Sequence, residues 1–427
     1  MSEKSSIFAP LFMWQKLRDI WRSNTKVAEN YVFMTILQVL NVCFYLLIYP
    51  FLIRVLGAES YGLYAYAVAI VALFITFVSF GFDLPAAKRI AEHAEDEGIK
   101  AQVLSEVTTA KLWLELMALA VYAGLLFVSP TMRANRLLFA LVFVQTCQNI
   151  LFPQWYFQGV QRMRVVTYIQ VAFKLATLPF IFWLLRTPED VEVYALIVSV
   201  AAVLGSLVAW GIIRYRDGLR VHLVGWHTVR RTAHEALPFF LSNATGVVKE
   251  QGIVLLIGQF LGMSDVAIYD LANKIIIIPR TLLSKLNDAL FPKMMAEPSA
   301  SRRRKVLTGE MLVGLVSIAL IAALGYWAVW VLGGKAMLAA YPVSVILSVT
   351  ILSWLVVGAM IYFYIIPSGK TFYITLNQLL AMLSTFLFAG IGLYFTHSVY
   401  LLAGSLALSG LIEMVFCRYV IHKNQMA

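Results

Sequence analysis

Twelve apolar stretches, each long enough to cross a bilayer, restrict the fold of this sequence more than any other feature. A helix needs about 20 residues to span the hydrocarbon of a membrane. The stretches cover approximately residues 30–53, 61–82, 108–128, 136–153, 166–185, 192–213, 236–257, 265–291, 307–331, 341–366, 371–395 and 398–420. Hydrophobic residues make up 61% of the chain, which excludes a water-soluble globular protein. The sequence therefore predicts an all-α polytopic membrane protein with about 12 transmembrane helices.

The net charge of +11 comes from basic residues in the short connectors, where they orient helices and contact membrane lipids rather than nucleic acid. With the amino terminus inside, 23 of the 34 lysines and arginines fall in inner segments and only five in outer connectors. We therefore expect both termini to be cytoplasmic. Residues 1–29 are expected to form a basic segment that either lies on the inner membrane surface or is unstructured.

The two halves of the chain share a short pattern at an offset of 205 residues. Leu56-Gly57 aligns with Leu261-Gly262, Tyr64 with Tyr269, and Ala67 with Ala272. In each half the pattern lies in the turn that leads into the second helix. With six helices per half, the copies share one orientation, about an axis along the membrane normal. We predict two six-helix lobes, residues 30–213 and 236–427, joined by a cytoplasmic connector at 214–235.

The eighth stretch differs from a lipid-facing helix because it is rich in charge. At about 100° per residue, polar residues share one face of this helix. They are Asp270, Asn273, Lys274, Thr281, Ser284, Lys285 and Asp288. A charge at the bilayer centre costs about 3 kcal/mol, so this face is expected to line a water-filled cavity or contact a partner helix. Asp270, Lys285 and Asp288 lie near the helix ends, where they could reach the interfaces without any function.

Charges far from the helix ends are few and mainly positive. They are Lys174 in the fifth stretch, Lys249 and Glu250 in the seventh, and Lys274 and Arg280 in the eighth, with a net charge of +3. Carboxylates on other helices or an anionic ligand must neutralise them. We predict a cationic substrate-binding cavity built from the lysines and Arg280, which would attract phosphate or an acidic sugar. The alternative is a structural ion pair between Lys249 or Lys274 and Glu250 or Asp270.

Further polar residues complete the predicted lumen. Glu250 and Asp270 are candidates for coupling to an ion, because a carboxylate can gain and lose a proton as a cavity opens and closes. Gln38 and Asn41 in the first stretch could contact sugar hydroxyls or form hydrogen bonds between helices. Asn273 and the charged pair Lys285 and Asp288 are expected to be lumen residues as well.

No catalytic, metal or cofactor site is predicted. The six histidines form no metal spacing, the three cysteines fall in apolar stretches, and no phosphate-binding glycine loop occurs. The outer connectors are about ten residues or shorter, which leaves no room for an external catalytic domain. The sequence therefore favours a transporter over an enzyme.

Several motifs resemble one known family. The first two motifs are YPFLIRVLGAESYGLYAYAVAI and FGFDLPAAKRIAEH. They are followed in order by FPQWYFQGVQRMRVVTYI, LPFFLSNATG, LGMSDVAIYDLANKI and, at the end of the same apolar stretch, LFPKM. This order resembles the polysaccharide-export branch of the MOP exporter superfamily, the Wzx-type O-antigen flippases. The resemblance covers most of residues 30–300, and the last four helices match mainly in hydropathy.

The resemblance implies a two-lobed transporter of the bacterial inner membrane. Its relatives move undecaprenyl-pyrophosphate-linked oligosaccharides from the cytoplasmic to the periplasmic leaflet by alternating access, with or without an ion gradient. The implied partners are this glycan, membrane lipids, and the polymerase and chain-length regulator of the same pathway. Helices one, two, seven and eight are expected to line the cleft, which leaves Lys174 outside it. Two alternatives remain: a multidrug or metabolite antiporter of the same superfamily, and a membrane enzyme of surface-glycan assembly.

Overall fold

The computed structural model describes residues 25–296 and 299–424, apart from the side chains at 25–28, 31, 282, 284–296 and 300. The described chain is helical and contains no strand. Its long helices are α1 (25–56) and α2 (58–79), which together form Thr25–Ser79, α3 (Glu97–Val128), α4 (Arg136–Gly159), α5 (Met163–Leu184), α6 (Val191–Gly211), α7 (Trp226–Phe260), α8 (Met263–Ala296), α9 (Ala300–Gly333), α10 (Ala340–Met360), α11 (Phe372–Phe395) and α12 (Val399–Lys423). Short helices at Asp83–Glu92 and Pro130–Ala134 and π-helical turns at Ile212–Arg216 and Ile361–Ile365 connect them. The predicted surface segment lies mostly outside the described residues.

Nine helical stretches of the described chain are long and apolar enough to cross a membrane, judged by length and composition. One of them, Val32–Ser79, contains most of α1 and all of α2. Helices α7 and α8 are not among the nine, and both carry several charged residues within their length. The structure is therefore that of a multi-pass helical membrane protein with two long polar helices in its centre.

Glycine ends α1 and α7 at corresponding places in the two halves. Gly57 has φ of 73° and ψ of 171°, and Gly262 has φ of 133°. A residue with a Cβ atom adopts such a conformation only with strain, so glycine permits the sharp turn at both sites. Each turn sends the chain directly into a second long helix.

Helices α2 and α8 meet beside these turns. The Ser264 hydroxyl donates a hydrogen bond of 2.8 Å to the Glu59 carboxylate. A Cβ atom at Gly62 would overlap the carbonyl oxygen of Met263 and lie 3.3 Å from the amide nitrogen of Ala267. Both Ser264 and Ala267 stand 205 positions after their partners. The α2–α8 contact thus places residues at the predicted repeat offset side by side.

The core contains side chains from both halves of the chain. Tyr49 and Leu56 of α1 are buried in one cluster with Ile253 and Ile257 of α7 and with Leu271 of α8. In the carboxyl-terminal half, α10 packs against α8, α9 and α12, while α11 packs against α7 and α12. Helix α8 therefore lies between the amino-terminal helices and α10.

The fourth helix is broken where the sequence predicted one uninterrupted stretch. Its pieces are Arg136–Phe143, Thr146–Leu151 and Gln154–Gly159. Pro153 has no backbone N–H to donate, and it separates the second piece from the third. The last piece is fixed by Gly159, where a Cβ atom would lie 2.8 Å from the side chain of Ile90.

The connector between the halves lies along α3. Helix α7 begins at Trp226, ten residues before the predicted seventh stretch, so only residues 217–225 of the predicted connector are non-helical. The backbone N–H of His222 donates to the Ser105 hydroxyl at 3.0 Å. Asp217 accepts hydrogen bonds from Arg162 at 2.6 Å and from the Tyr156 hydroxyl at 2.8 Å. These bonds attach the connector to the amino-terminal half.

Candidate functional site

A cavity of about 190 Å³ lies between α7, α8, α10, α11 and α12. Its wall includes Lys249, Glu250, Asn273, Arg280, Trp354, Gln378 and Glu413. Four of these residues, on α7 and α8, were predicted from the sequence as lumen residues. The structure brings them together with residues of the last three helices.

Two ion pairs lie in the wall of this cavity. Arg280 Nη1 lies 3.0 Å from Glu250 Oε1, and the Arg280 guanidinium lies 5.5 Å from the centre of the Trp354 ring. Lys249 Nζ lies 2.8 Å from Glu413 Oε1. The Glu250 side chain is 40% exposed, whereas that of Glu413 is 11% exposed. Because water can solvate the more exposed carboxylate, Glu250 can separate from its cation at a smaller cost in free energy than Glu413 can.

Glu413 is a site residue that the sequence analysis did not single out. Besides Lys249, it accepts a hydrogen bond of 3.2 Å from the side-chain amide of Asn377. Glu413 lies 164 residues from Lys249 in the sequence, and helical periodicity cannot predict a contact between residues that far apart. The excess of positive charge among the deep residues could have indicated Glu413, because it requires carboxylates on helices other than α7 and α8.

Asp270 and Lys274 lie in a second group, where α8 meets α1 and α2. Their charged atoms are 3.9 Å apart, and the Tyr61 hydroxyl donates to Asp270 at 2.8 Å. The Lys274 ammonium lies 5.1 Å from the centre of the Tyr45 ring. Tyrosine contacts hold this pair at the junction between the two halves of the chain.

Lys174 is placed apart from the other deep cations. Its ammonium donates a hydrogen bond to the Asn41 side chain and lies 5.6 Å from the centre of the Phe44 ring. It lines a cavity of about 340 Å³, and none of the charged residues of α7 and α8 whose side chains the structure describes lines that cavity. Gln38 is exposed on α1. The side chains of Lys285 and Asp288 lie outside those that the structure describes.

These positions change the expected charge of the site. The two cations of the cavity, Lys249 and Arg280, are balanced by Glu250 and Glu413. Lys274 is paired with Asp270 in the same way, as the ion-pair alternative allowed. A positive site for an anion therefore arises when a carboxylate moves away or gains a proton. An incoming phosphate could then take the place of Glu250 on the Arg280 fork.

A double-variant cycle on Lys249 and Glu413 is expected to show this charge compensation. Glu413→Gln removes the carboxylate beside a mostly buried ammonium and should destabilise the protein by about 3 kcal/mol. Lys249→Met combined with Glu413→Gln should cost less than about 1 kcal/mol, because no charge is then left without a partner. Thermal unfolding in detergent measures both. Lys249→Met alone completes the cycle, and a loss in the double variant equal to the sum of the two single losses would show that the two charges are not coupled.

The sequence matches a known family over more than half of its length. The family described as "Polysaccharide biosynthesis protein" matches residues 27–297. The chain belongs to this family. A curated relative from Escherichia coli (strain K12), named as a candidate O-antigen transporter, is 24% identical over 279 residues, which cover 65% of this chain and 67% of the relative. The predicted resemblance to the polysaccharide-export branch is confirmed.

Solved structures share the fold of this family member. The lipid II flippase MurJ in an inward closed conformation has a TM-score of 0.69 at 13% identity, over 92% of this chain and 87% of MurJ. An inward-facing multidrug resistance MATE family transporter of the MOP superfamily has a TM-score of 0.67 at 14% identity, over 89% and 95% of the two chains. At these identities the likeness establishes the MOP-type fold.

Proposed function

We propose that this protein is a flippase for an undecaprenyl-pyrophosphate-linked oligosaccharide, the repeat unit of an O-antigen or related surface polysaccharide. The observation that carries the proposal is the cavity of paired charges between α7, α8 and α12 in a member of a polysaccharide biosynthesis family. Ionisable residues within membrane helices are typical of substrate paths. The names of the relatives, a candidate O-antigen transporter and a lipid II flippase, are consistent with it.

The proposed architecture is two six-helix lobes, α1–α6 and α7–α12, related by a parallel repeat. Two equivalent residues, one from each lobe, can contact each other only if the axis that relates the lobes passes between them. The contacts of Glu59 with Ser264 and of Gly62 with Ala267 meet this condition. The glycine turns that follow α1 and α7 also correspond. The axis would run between α2 and α8, along the membrane normal.

In the proposed mechanism the lobes rock against each other around the paired charges. The pyrophosphate replaces Glu250 on Arg280, and the displaced Glu250 carboxylate then remains in the cavity without its cation. The lipid tail stays outside the cavity, between helices. The contact between α2 and α8 near Gly57 and Gly262 closes one end of the cleft in this conformation.

The proposed orientation places both termini in the cytoplasm of a bacterium and the two glycine turns on the periplasmic side. It rests on the excess of lysine and arginine in the inner segments. The closed end is then the periplasmic one. Substrate would enter from the cytoplasmic leaflet.

Glu250 is the proposed site of coupling to a proton gradient, with Asp270 as the second candidate. The proposal rests on the position of the Glu250 carboxylate, which is 40% exposed beside the cavity and is paired with the cation that would bind the phosphate. Glu250→Gln is expected to make the transport rate insensitive to an imposed pH gradient. Transport assays with and without the gradient measure this, and a full response in the variant would exclude Glu250 as the coupling group.

The function is tested by depleting the protein in its host and identifying the lipid-linked glycans that accumulate. Mass spectrometry combined with leaflet-specific labelling is expected to find complete repeat units on the cytoplasmic leaflet. Incomplete units, or complete units on the periplasmic leaflet, would point to an enzyme of glycan assembly instead. An unchanged glycan pool would contradict the flippase and favour the antiporter.

A further inference from the structure

A second cavity, of about 340 Å³, lies in the amino-terminal half between α2, α3, α4 and α5. Its wall carries six side-chain amides: Gln145, Gln148, Asn149, Gln154, Gln158 and Gln170. Five of the 13 glutamines of the chain are thus gathered around one cavity. Three of the six, at 149, 154 and 158, lie at or beside the break in α4 that contains Pro153.

The charges in this cavity compensate each other. Lys111 is 2% exposed, and its ammonium donates to Asp83 at 2.7 Å and to the backbone carbonyl of Asn149 at 3.1 Å. The Ser79 hydroxyl also donates to Asp83. The ion pair is therefore part of the wall, and the cavity favours a neutral polar ligand over an anion.

The amides have unused hydrogen-bonding capacity. Among the described residues, the side chains of Gln148, Gln154, Gln158 and Gln170 have no hydrogen-bond partner. An amide side chain both donates and accepts, which matches the two roles of a sugar hydroxyl group. Trp155 also borders this wall, and its side chain is almost fully buried behind the exposed amides.

The wall is held rigidly. The helix Gln154–Gly159 is fixed at its end by the close packing of Gly159 on Ile90. It is also fixed by the hydrogen bond from Tyr156 to Asp217. Gln154 and Gln158, one turn apart, share the face of this helix that borders the cavity. Such preorganisation lowers the entropic cost of binding.

The cavity continues towards the middle of the amino-terminal half. The neighbouring cavity, which contains Lys174, shares Gln148, Phe152 and Gln170 with it. The two cavities, each of about 340 Å³, therefore form one groove. The groove runs from Asp83 and Lys111 at one end to Lys174 at the other.

We infer that this groove is a binding subsite for the neutral sugar residues of the transported glycan, separate from the paired charges of α7 and α8. The inference rests on the proposed function for the identity of the glycan. The groove contacts the hydroxyl groups of the sugars through its amides. The glycan thus has its own site in the amino-terminal half, and the pyrophosphate has one in the carboxyl-terminal half.

Binding to the full-length protein in nanodiscs tests the inference without any transport step. The probe is the water-soluble oligosaccharide that mild acid releases from the lipid-linked glycan of the host, followed by saturation-transfer NMR. We expect Gln154→Ala combined with Gln158→Ala to weaken binding at least about tenfold, because hydrogen bonds from two amides are lost. Gln259→Ala, at an exposed glutamine at the far end of α7, is the matched control and should bind as the parent does. Inorganic pyrophosphate should not displace the oligosaccharide.

The outcomes separate this inference from the proposed function. Unchanged affinity in the double variant, no binding to the parent, or displacement by pyrophosphate would each overturn the glycan subsite. None of these results bears on the leaflet of the accumulated glycan in the depletion experiment. Conversely, weakened binding in the double variant supports the subsite even if depletion reveals no trapped repeat units. Both altered residues are exposed, so thermal unfolding equal to the parent's is expected and checks that the fold is intact.

Discussion

Replacing Arg280 with alanine is expected to reduce transport of the lipid-linked glycan by about 10- to 100-fold. The change removes the guanidinium that would bind the pyrophosphate and leaves Glu250 in the cavity without its cation, and the expected 10- to 100-fold reduction corresponds to about 1.4–2.8 kcal/mol. Arg280→Lys keeps the charge but not the two-pronged geometry, so an intermediate rate is expected. Surface glycan per cell, at equal protein expression, is the measurement.

Arg133→Ala is the matched control for this series. Arg133 is an exposed arginine in the short helix Pro130–Ala134, far along the chain from the cavity, and its loss should leave transport unchanged. Lys274→Ala should also impair transport, because it leaves Asp270 without its cation where the two halves meet. Normal surface glycan in both Arg280→Ala and Lys274→Ala would show that the assigned site is wrong.

Replacing Gly62 with leucine is expected to abolish transport by preventing α2 from closing against α8. Even a Cβ atom at this position overlaps the backbone carbonyl of Met263, which cannot move independently of α8. We expect at least a tenfold loss of transport, since about 1.4 kcal/mol of destabilisation of the closed state already shifts its population tenfold. Labelling of Ser264→Cys by a membrane-impermeant maleimide should be faster when Gly62→Leu is also present.

Gly124→Leu provides the control for steric bulk. Gly124 lies in α3, and a Cβ atom there meets no other atom within 4 Å. This variant should transport normally and should not alter the labelling of Ser264→Cys. If Gly62→Leu transports at the parent rate, the α2–α8 contact does not take part in the transport cycle.

The sequence predicted the positions of most charges but not their partners. The polar face predicted for the eighth stretch contains Lys274, because one helix is governed by a local periodicity of 3.6 residues, whereas Arg280 was predicted as a charge far from the helix ends. The pairing of Lys249 with Glu413 depends on the packing of α7 against α12, which no local pattern encodes. Of the four cations predicted to form one cavity, Lys249 and Arg280 line a common cavity and are each paired with a carboxylate. Lys274 is paired with Asp270 in a second group, and Lys174 lines another cavity.

The fold could be predicted from the sequence where hydropathy controls it and not where the backbone departs from a regular helix. The turns at Gly57 and Gly262 were found because both halves carry the same Leu-Gly pair. The break in α4 at Pro153 coincides with the predicted end of the fourth stretch at residue 153, but the helical piece Gln154–Gly159 that follows it was not predicted. That break positions the amides of the second cavity, so the proposed sugar subsite could be recognised only from the structure.

The proposed transfer of a glycan between leaflets is tested most directly with the purified protein in liposomes. The liposomes carry undecaprenyl-pyrophosphate-linked glycan, and an impermeant glycosidase reports the fraction exposed on the outer leaflet over time. We predict that the parent protein makes the protected glycan accessible at least about tenfold faster than protein-free liposomes do, and that Arg280→Ala does not. Equal rates in liposomes with and without the parent protein would contradict the assignment as a flippase.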